Sequence, residues 1–473
     1  MRSVLIEWLS AHNLPASSQR HPAFKAAPAR TWLPNMTNRV IHAHRDDQVS
    51  HASDGLLGWV PAIVLGYATI LTPLLLQRSL YPTDASAAAA SSDHGSNLFN
   101  QVFWLLLICA VLYVCRNKLK QLVGLLRRPL VVIIISYMVI AFASILWSPT
   151  PTIAFRRATL QFIVLAAVVL PTLLARNTRA QVDRLVVVFF ITIALNLAAV
   201  ILLPAGRLGH QGIHSHKNEF GLITAYGFIF CLYGMVRLQG LGRLLATGLA
   251  MAALAELVVS RSKTSLGLAI LIPLVALVIL GVSRALRVNA LFPLVLGLAA
   301  LILSGIFIAH LADFGFADIS MLLFDDTTFT GRTTIWNFVG DVIGRAPFLG
   351  QGYASFWDIG PGSIVMREAP GFVVELLQGH NGYIDVTVEL GVCGLAVLLA
   401  FLSCSVLDIG RAANDTRVEF ALAWLFLSCV IVGLCHNMLE SSWFRGYSVA
   451  WLIFLLAGGW ANAVTKAKDA RYS

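Results

Sequence analysis

The sequence predicts an all-α polytopic integral membrane protein, and three observations carry that prediction. Of 473 residues, 58% are apolar and only 12% are charged, whereas soluble domains carry about 25% charge. The apolar residues fall into runs close to the ~20 residues that a helix needs to cross a bilayer. Twelve such runs occur, at about 56–77, 98–115, 129–147, 158–175, 184–203, 219–236, 241–259, 264–282, 290–310, 383–407, 418–436 and 445–462. Lysine and arginine are spread unequally between alternate connections, as they are in multi-pass proteins.

Taken in order, residues 1–52 read as a polar cytoplasmic tail with six basic residues, among them Arg2, Lys25 and Arg45. No apolar run follows a basic start closely enough for a cleaved signal peptide. Met36 lies inside this tail and is a second candidate start. Residues 53–310 hold spans one to nine. The Ala/Ser run Ala85–Ser92 in the first outer connection reads as a flexible linker. The third span opens at Pro129 and closes at Trp147, a helix-starting proline and an interfacial tryptophan. The seventh and eighth spans are separated only by Ser260–Lys263, which makes them the least distinct pair. Residues 311–380 form one long connection, 381–465 hold the last three spans, and 466–473 form a second tail. With both termini in the cytoplasm, cytoplasmic segments hold 23 of the 34 basic residues, which supports this orientation and makes the long loop extracytoplasmic.

The net charge of +10 would suggest nucleic acid for a soluble protein. Here it follows from the orientation rule, and no nucleic-acid partner is expected. The cysteines Cys109, Cys115, Cys231, Cys393, Cys404, Cys429 and Cys435 all fall in or at the ends of apolar runs without metal-ligand pairing, and read as small core residues.

The informative residues are the outer cations that break the charge bias. Arg156 and Arg157 open the fourth span, Lys217 precedes the sixth, Arg261 and Lys263 lie between the seventh and eighth, and Arg332 lies in the long loop. A charge near hydrocarbon costs a few kcal/mol unless paired or wetted. These residues either snorkel to headgroups or form a cationic pocket for an anionic ligand head, for which arginine offers a planar fork. Within the loop, Ile335, Trp336, Val339, Val342 and Ile343 follow helical spacing, predicting a helix on the membrane surface or capping the bundle. Pro347, Gly350 and Gly352 then predict turns. Tyr353, Phe356 and Trp357 read as interfacial anchors or as a sugar-stacking platform.

These features together resemble the O-antigen ligase and polymerase superfamily of bacterial envelope glycosyltransferases, and within it exopolysaccharide polymerases of the succinoglycan type. The likeness rests on about twelve helices with one long outer loop before the last three. It rests also on His216-Lys217-Asn218-Glu219-Phe220-Gly221, Ser260-Arg261-Ser262, Gly331-Arg332 with Trp336, Arg345 to Tyr353, and His380-Asn381-Gly382-Tyr383 with Glu389-Leu390-Gly391. It covers residues 100–460. The resemblance implies transfer of a glycan from a polyprenyl pyrophosphate carrier onto an acceptor hydroxyl, at the periplasmic face of a bacterial inner membrane, with no nucleotide sugar, cofactor or metal. It implies pyrophosphate binding by Arg261 and Arg332, and also by Arg157 and Lys217, and a base at His380. A flippase and a chain-length regulator are partners implied by the resemblance alone.

The chemistry is consistent with these residue types. Pyrophosphate leaves readily once fixed cations neutralise it. An imidazole titrating near neutrality suits removal of the acceptor proton. Attack opposite the leaving group would invert the anomer. Residues placed to contact substrate are His216, Asn381, Tyr383, Tyr353, Trp336 and Glu440. Asp385 and Glu389 share a helix face. A helix reaching back to position 380 would turn that face away from His380, leaving both acids as partners for outer cations or as bundle contacts. The spacing of His210, His214 and His216 is not a zinc signature. Three functions remain open at this level: a polymerase, a ligase delivering finished glycan to a lipid or protein, and a transporter of an anionic or lipid-linked glycan, whose site would sit nearer the midplane on repeated halves.

Overall fold

The computed structural model describes residues 55–76, 98–175, 177–311, 313, 315, 318, 321, 331–415 and 418–469. The two terminal tails, except for the backbone of 466–469, the Ala/Ser run and most of 312–330 lie outside the described residues. Among the described residues the regular elements are helices and no strand forms, with ten helices long and apolar enough to cross a membrane. Nine precede the loop: α1 (Gly55–Leu75), α2 (Leu98–Leu125), α3 (Pro129–Leu146), α4 (Pro151–Leu174), α5 (Thr178–Leu202), α6 (Lys217–Arg237), α7 (Leu241–Ser260), α8 (Lys263–Leu286) and α9 (Leu291–Leu311). The loop carries α10 (Arg332–Arg345) and the short α11 (Ile364–Glu368). The tenth long helix, α12 (Gly382–Ala413), follows, and then two shorter apolar helices, α13 (Phe420–His436) and α14 (Val449–Asp469).

Every expected span coincides with a helix, including the α7–α8 pair. That pair separates because Arg261 adopts a left-handed conformation (φ 52°) and closes α7, while Ser262 starts α8. The fourth helix begins seven residues earlier than its apolar run, at Pro151, whose fixed φ suits a first helical turn. Arg156 and Arg157 therefore lie inside α4.

Burial sorts the helices. In α14, residues Val449–Leu456 are buried on all sides, as expected of a helix apolar all round. It packs on α4, α12 and α13. By contrast α9 buries none of its side chains. The loop helix α10 caps the bundle: Ile335, Phe338, Val339 and Val342 pack with Phe356, Trp357 and Val388 into a second small core over α12. The loop aromatics are thus corrected from interfacial anchors or a stacking platform to core residues. Tyr353, Phe356 and Trp357 are at most 3% exposed, and the Tyr353 hydroxyl donates to the Phe444 carbonyl.

The loop also completes a broken helix. Gly391 interrupts α12 with φ 65° and ψ −165°, a conformation open to glycine alone. The backbone groups freed by this break are taken up by residues 347–352. Val392 N–H donates to the Pro347 carbonyl at 2.8 Å, and Gln351 and Gly352 donate to the Val388 and Glu389 carbonyls, each at 2.8 Å. Irregular backbone at membrane depth is tolerated where protein closes it in this way. A Cβ on Gly391 would lie 2.2 Å from the Phe348 carbonyl oxygen.

Candidate active site

The site is built where four segments meet at the loop end of the bundle. The first is the start of α12. Asn381 caps it by accepting from Tyr383 and Ile384 N–H at 3.0 and 3.2 Å, satisfying donors that a helix start leaves open. Gly382 N–H donates to the Asn437 and Glu440 carbonyls. A side chain at 382 would meet Asn437 Oδ1 at 2.2 Å, so glycine lets the end of α13 come close. Tyr383 reaches α13 as well, donating its hydroxyl to the Leu434 carbonyl.

This close approach brings His380 and Glu440 together. His380 Nδ1 lies 3.0 Å from Glu440 Oε2. A carboxylate can only accept, so the pair places the proton on Nδ1 and leaves Nε2 as the open lone pair. His380 itself is held in a left-handed conformation (φ 50°). Its predecessor Gly379 is gripped on both sides: Asp385 accepts the Gly379 N–H at 3.1 Å, and Trp336 Nε1 donates to the Gly379 carbonyl at 3.1 Å.

Three other side chains converge on the same carboxylate. Gln378 donates to Oε2 at 3.0 Å, Asn218 donates to Oε1 at 3.1 Å, and Arg332 approaches Oε1 at 3.5 Å. Arg332 also forks onto the Leu439 carbonyl through Nε and Nη2. Burial alone would raise the Glu440 carboxyl. The hydrogen bond from His380, followed by the charges of His380, His436 and Arg332, outweighs it and pulls the group down to about 2. Glu440 is therefore ionised at neutral pH. Beside it opens a cleft of about 540 Å³, lined by His216, Asn218, Gln378, His380 and Arg445 among others. Its far wall is Ala68 and Thr72 of α1 with Leu222 and Ile223 of α6. Thr72 follows directly on a π-helical segment, Tyr67–Leu71.

The expected residues divide accordingly. His216, His380 and Glu440 line this cleft, while Arg332 reaches the Glu440 carboxylate, Trp336 holds the Gly379 carbonyl, and Asn381 and Tyr383 fix the start of α12 behind the lining. Lys217 opens α6 beside His216, which caps that helix by accepting from Asn218 N–H. Arg261 sits in the α7–α8 turn, against which the α5–α6 loop docks: His210 N–H donates to the Val259 carbonyl, and a Cβ on Gly209 would strike the Ser260 carbonyl oxygen at 2.2 Å. The Arg261 side chain is exposed, and its guanidinium has no hydrogen-bond partner among the described residues. Arg157 is placed differently. Its guanidinium donates to the Ala354, Trp357 and Asp358 carbonyls and pairs with the Asp358 carboxylate at 3.2 Å, tying the loop to α4. Tyr353 lies in the core below the cleft.

Asp385 and Glu389 do not bond His380; Arg445 reaches both, at 2.8 and 3.5 Å. Both acids thus pair with a cation in the α13–α14 connection, and α12 starts at Gly382 and not at His380. Sequence reading gave Glu440 a substrate contact and missed its bond to His380. The two are 60 residues apart, and no spacing rule links them. The available signal was an acid alone in the short connection between the last two helices, which also holds Arg445. Asn218 and Gln378 were missed as well. Among the described residues no group of three His, Cys, Asp or Glu is arranged to hold a metal ion.

Fold and cleft together define a polytopic helical membrane protein with a half-buried histidine–carboxylate pair, ringed by arginine and amide side chains, at the loop end of its bundle. Residues 248–399 match the model of a family described as O-Antigen ligase; they run from α7 into α12 and include Arg261, Arg332 and His380. The chain is 26% identical over 286 residues to the exopolysaccharide production protein ExoQ of Rhizobium meliloti, covering 57% of this chain and 63% of that protein. It is 25% identical over 127 residues to a putative polysaccharide ligase of Rickettsia bellii, and 28% identical over 130 residues to one of Rickettsia prowazekii. Each match covers 26% of this chain and 31% of the relative. The chain thus spans less than two thirds of the length of these relatives. Together the matches support the O-antigen ligase and ExoQ-like superfamily, to which the sequence motifs also pointed.

Proposed function

We propose that this protein transfers glycan from a polyprenyl-pyrophosphate carrier to a sugar hydroxyl at the extracytoplasmic face of a bacterial inner membrane, with both termini in the cytoplasm, and that it extends exopolysaccharide as a polymerase. The observation that carries this reading is the His380–Glu440 pair opening on the cleft. In this reading the acceptor hydroxyl gives its proton to His380 Nε2 as its oxygen attacks the anomeric carbon. The carrier pyrophosphate leaves with the electron pair of the broken C–O bond, and the anomer inverts. Glu440 holds the imidazole in the tautomer that can accept and offsets the charge it gains. Arg332, which reaches the Glu440 carboxylate, neutralises the departing pyrophosphate together with Arg261 and Lys217 in this reading. Arg157 serves this site by fixing the loop. A flippase would supply the donor, and a chain-length regulator would limit extension.

The Rhizobium relative is an exopolysaccharide production protein, which suits the exopolysaccharide product, while the Rickettsia relatives are putative polysaccharide ligases, which keeps ligation to another acceptor as the second reading. A transporter is the reading that the broken helix α12 would suggest. Its freed backbone groups are already satisfied by the loop, which leaves no open ion site there. The deciding experiment gives purified protein its organism's lipid-linked repeat in detergent, with EDTA and without nucleotide. A ladder of growing glycans with release of carrier pyrophosphate is expected. A single product that requires an added lipid acceptor would make the protein a ligase, and strict dependence on divalent metal would refute the metal-free mechanism.

A further inference from the structure

We infer that Asn218 and Gln378 form the hydroxyl-recognising subsite for the acceptor sugar; this rests on the reading of His380 as the base of a glycosyl transfer. Both side chains spend their amide N–H on Glu440, at 3.1 and 3.0 Å. That fixes which end of each amide is which, since a carboxylate can only accept. The carbonyl ends, Asn218 Oδ1 and Gln378 Oε1, take no hydrogen bond from the described residues, and neither is among the buried polar atoms that lack a partner. Each is therefore an accessible acceptor, and both residues line the cleft. His380 Nε2 is in the same position, because its ring is bonded through Nδ1.

Three lone-pair acceptors thus surround one carboxylate. Each sits on a side chain that bonds a Glu440 oxygen at about 3 Å, so the three are grouped around a single carboxylate. An anion finds no donor in this group and meets a formal negative charge behind it. A neutral sugar with adjacent hydroxyls finds three acceptors at once. Whichever hydroxyl delivers its proton to Nε2, its ring neighbours fall to the two amides. The amides would then choose which hydroxyl attacks, and so fix the linkage.

The test is binding, which needs no turnover. Methyl glycosides of glucose, galactose and mannose are titrated onto the full-length protein in detergent and followed by saturation-transfer NMR. Wild type is compared with Gln378→Lys, which keeps a donor toward Glu440 but loses the acceptor, and with Asn218→Leu, which loses both. Thermal unfolding reports whether each variant is folded. At least one glycoside should bind to wild type and weaken about tenfold in each folded variant, the loss expected for one hydrogen bond. Saturating inorganic pyrophosphate should leave that binding in place. Equal binding by the variants, no binding by wild type, or displacement by pyrophosphate would overturn the subsite. Sugar binding of the expected kind without any donor turnover in the assay above would instead sink the transferase reading and leave the subsite standing.

Discussion

Replacing Glu440 by glutamine exchanges one oxygen of a four-way acceptor for a donor. Oε2 faces His380 and Gln378, and Oε1 faces Asn218 and Arg332. Whichever way the new amide turns, its NH2 meets donors, and no rotation of one side chain relieves both sides. The size of the effect follows from the carboxyl itself. Held at about 2 against an ordinary 4.5, it contributes about 3 kcal/mol of stability at neutral pH. Because the folded value is the lower one, that contribution is complete above pH 4.5 and disappears as pH falls toward 2. Glu440→Gln should therefore melt well below wild type near neutrality. The gap should hold steady down to about pH 4.5 and narrow below it. Transfer should fall at least about a hundredfold, since the imidazole is no longer held in its accepting tautomer. Thermal unfolding in detergent across this pH range, alongside the chain-extension assay, reads both quantities. A variant that melts and turns over like wild type would refute the reasoning, and so would a gap that ignores pH.

His380→Ala should abolish chain extension while leaving the protein folded and in the membrane, at a melting temperature lowered by the loss of its bond to Glu440; near-normal polymer would remove His380 as the base. Arg261→Lys should lose donor turnover by tenfold or more, on the order of one bidentate phosphate contact, and full complementation by lysine would argue against that grip. Gly391→Ala should destabilise by roughly 3 kcal/mol or more, because alanine pays both the strained conformation and a clash with the Phe348 carbonyl; wild-type expression and melting would show that the loop is not keyed into α12 as described.

Composition and run length alone determined that this chain is a ladder of membrane helices. A bilayer imposes one length and one polarity on whatever crosses it, and both can be read locally. The special chemistry of individual positions was legible as well. Cations at span ends, a histidine at a helix start and glycines in the loop were visible as departures from what a bare span requires. Only the tertiary structure decided what those residues touch. The motif at Pro347–Gly352 reads as turns in sequence, and its purpose appears only when its backbone closes the break at Gly391. Arg157 and Arg332 look alike in sequence, but one holds the carbonyls of 354–358 and the other holds the Leu439 carbonyl and reaches the Glu440 carboxylate. Glu440 meets His380 because Gly382 lets the end of α13 approach. Residues on different helices meet through packing, and packing depends on side-chain shape across the whole bundle. Periodicity records only which face of a helix is apolar, not which neighbour that face will find.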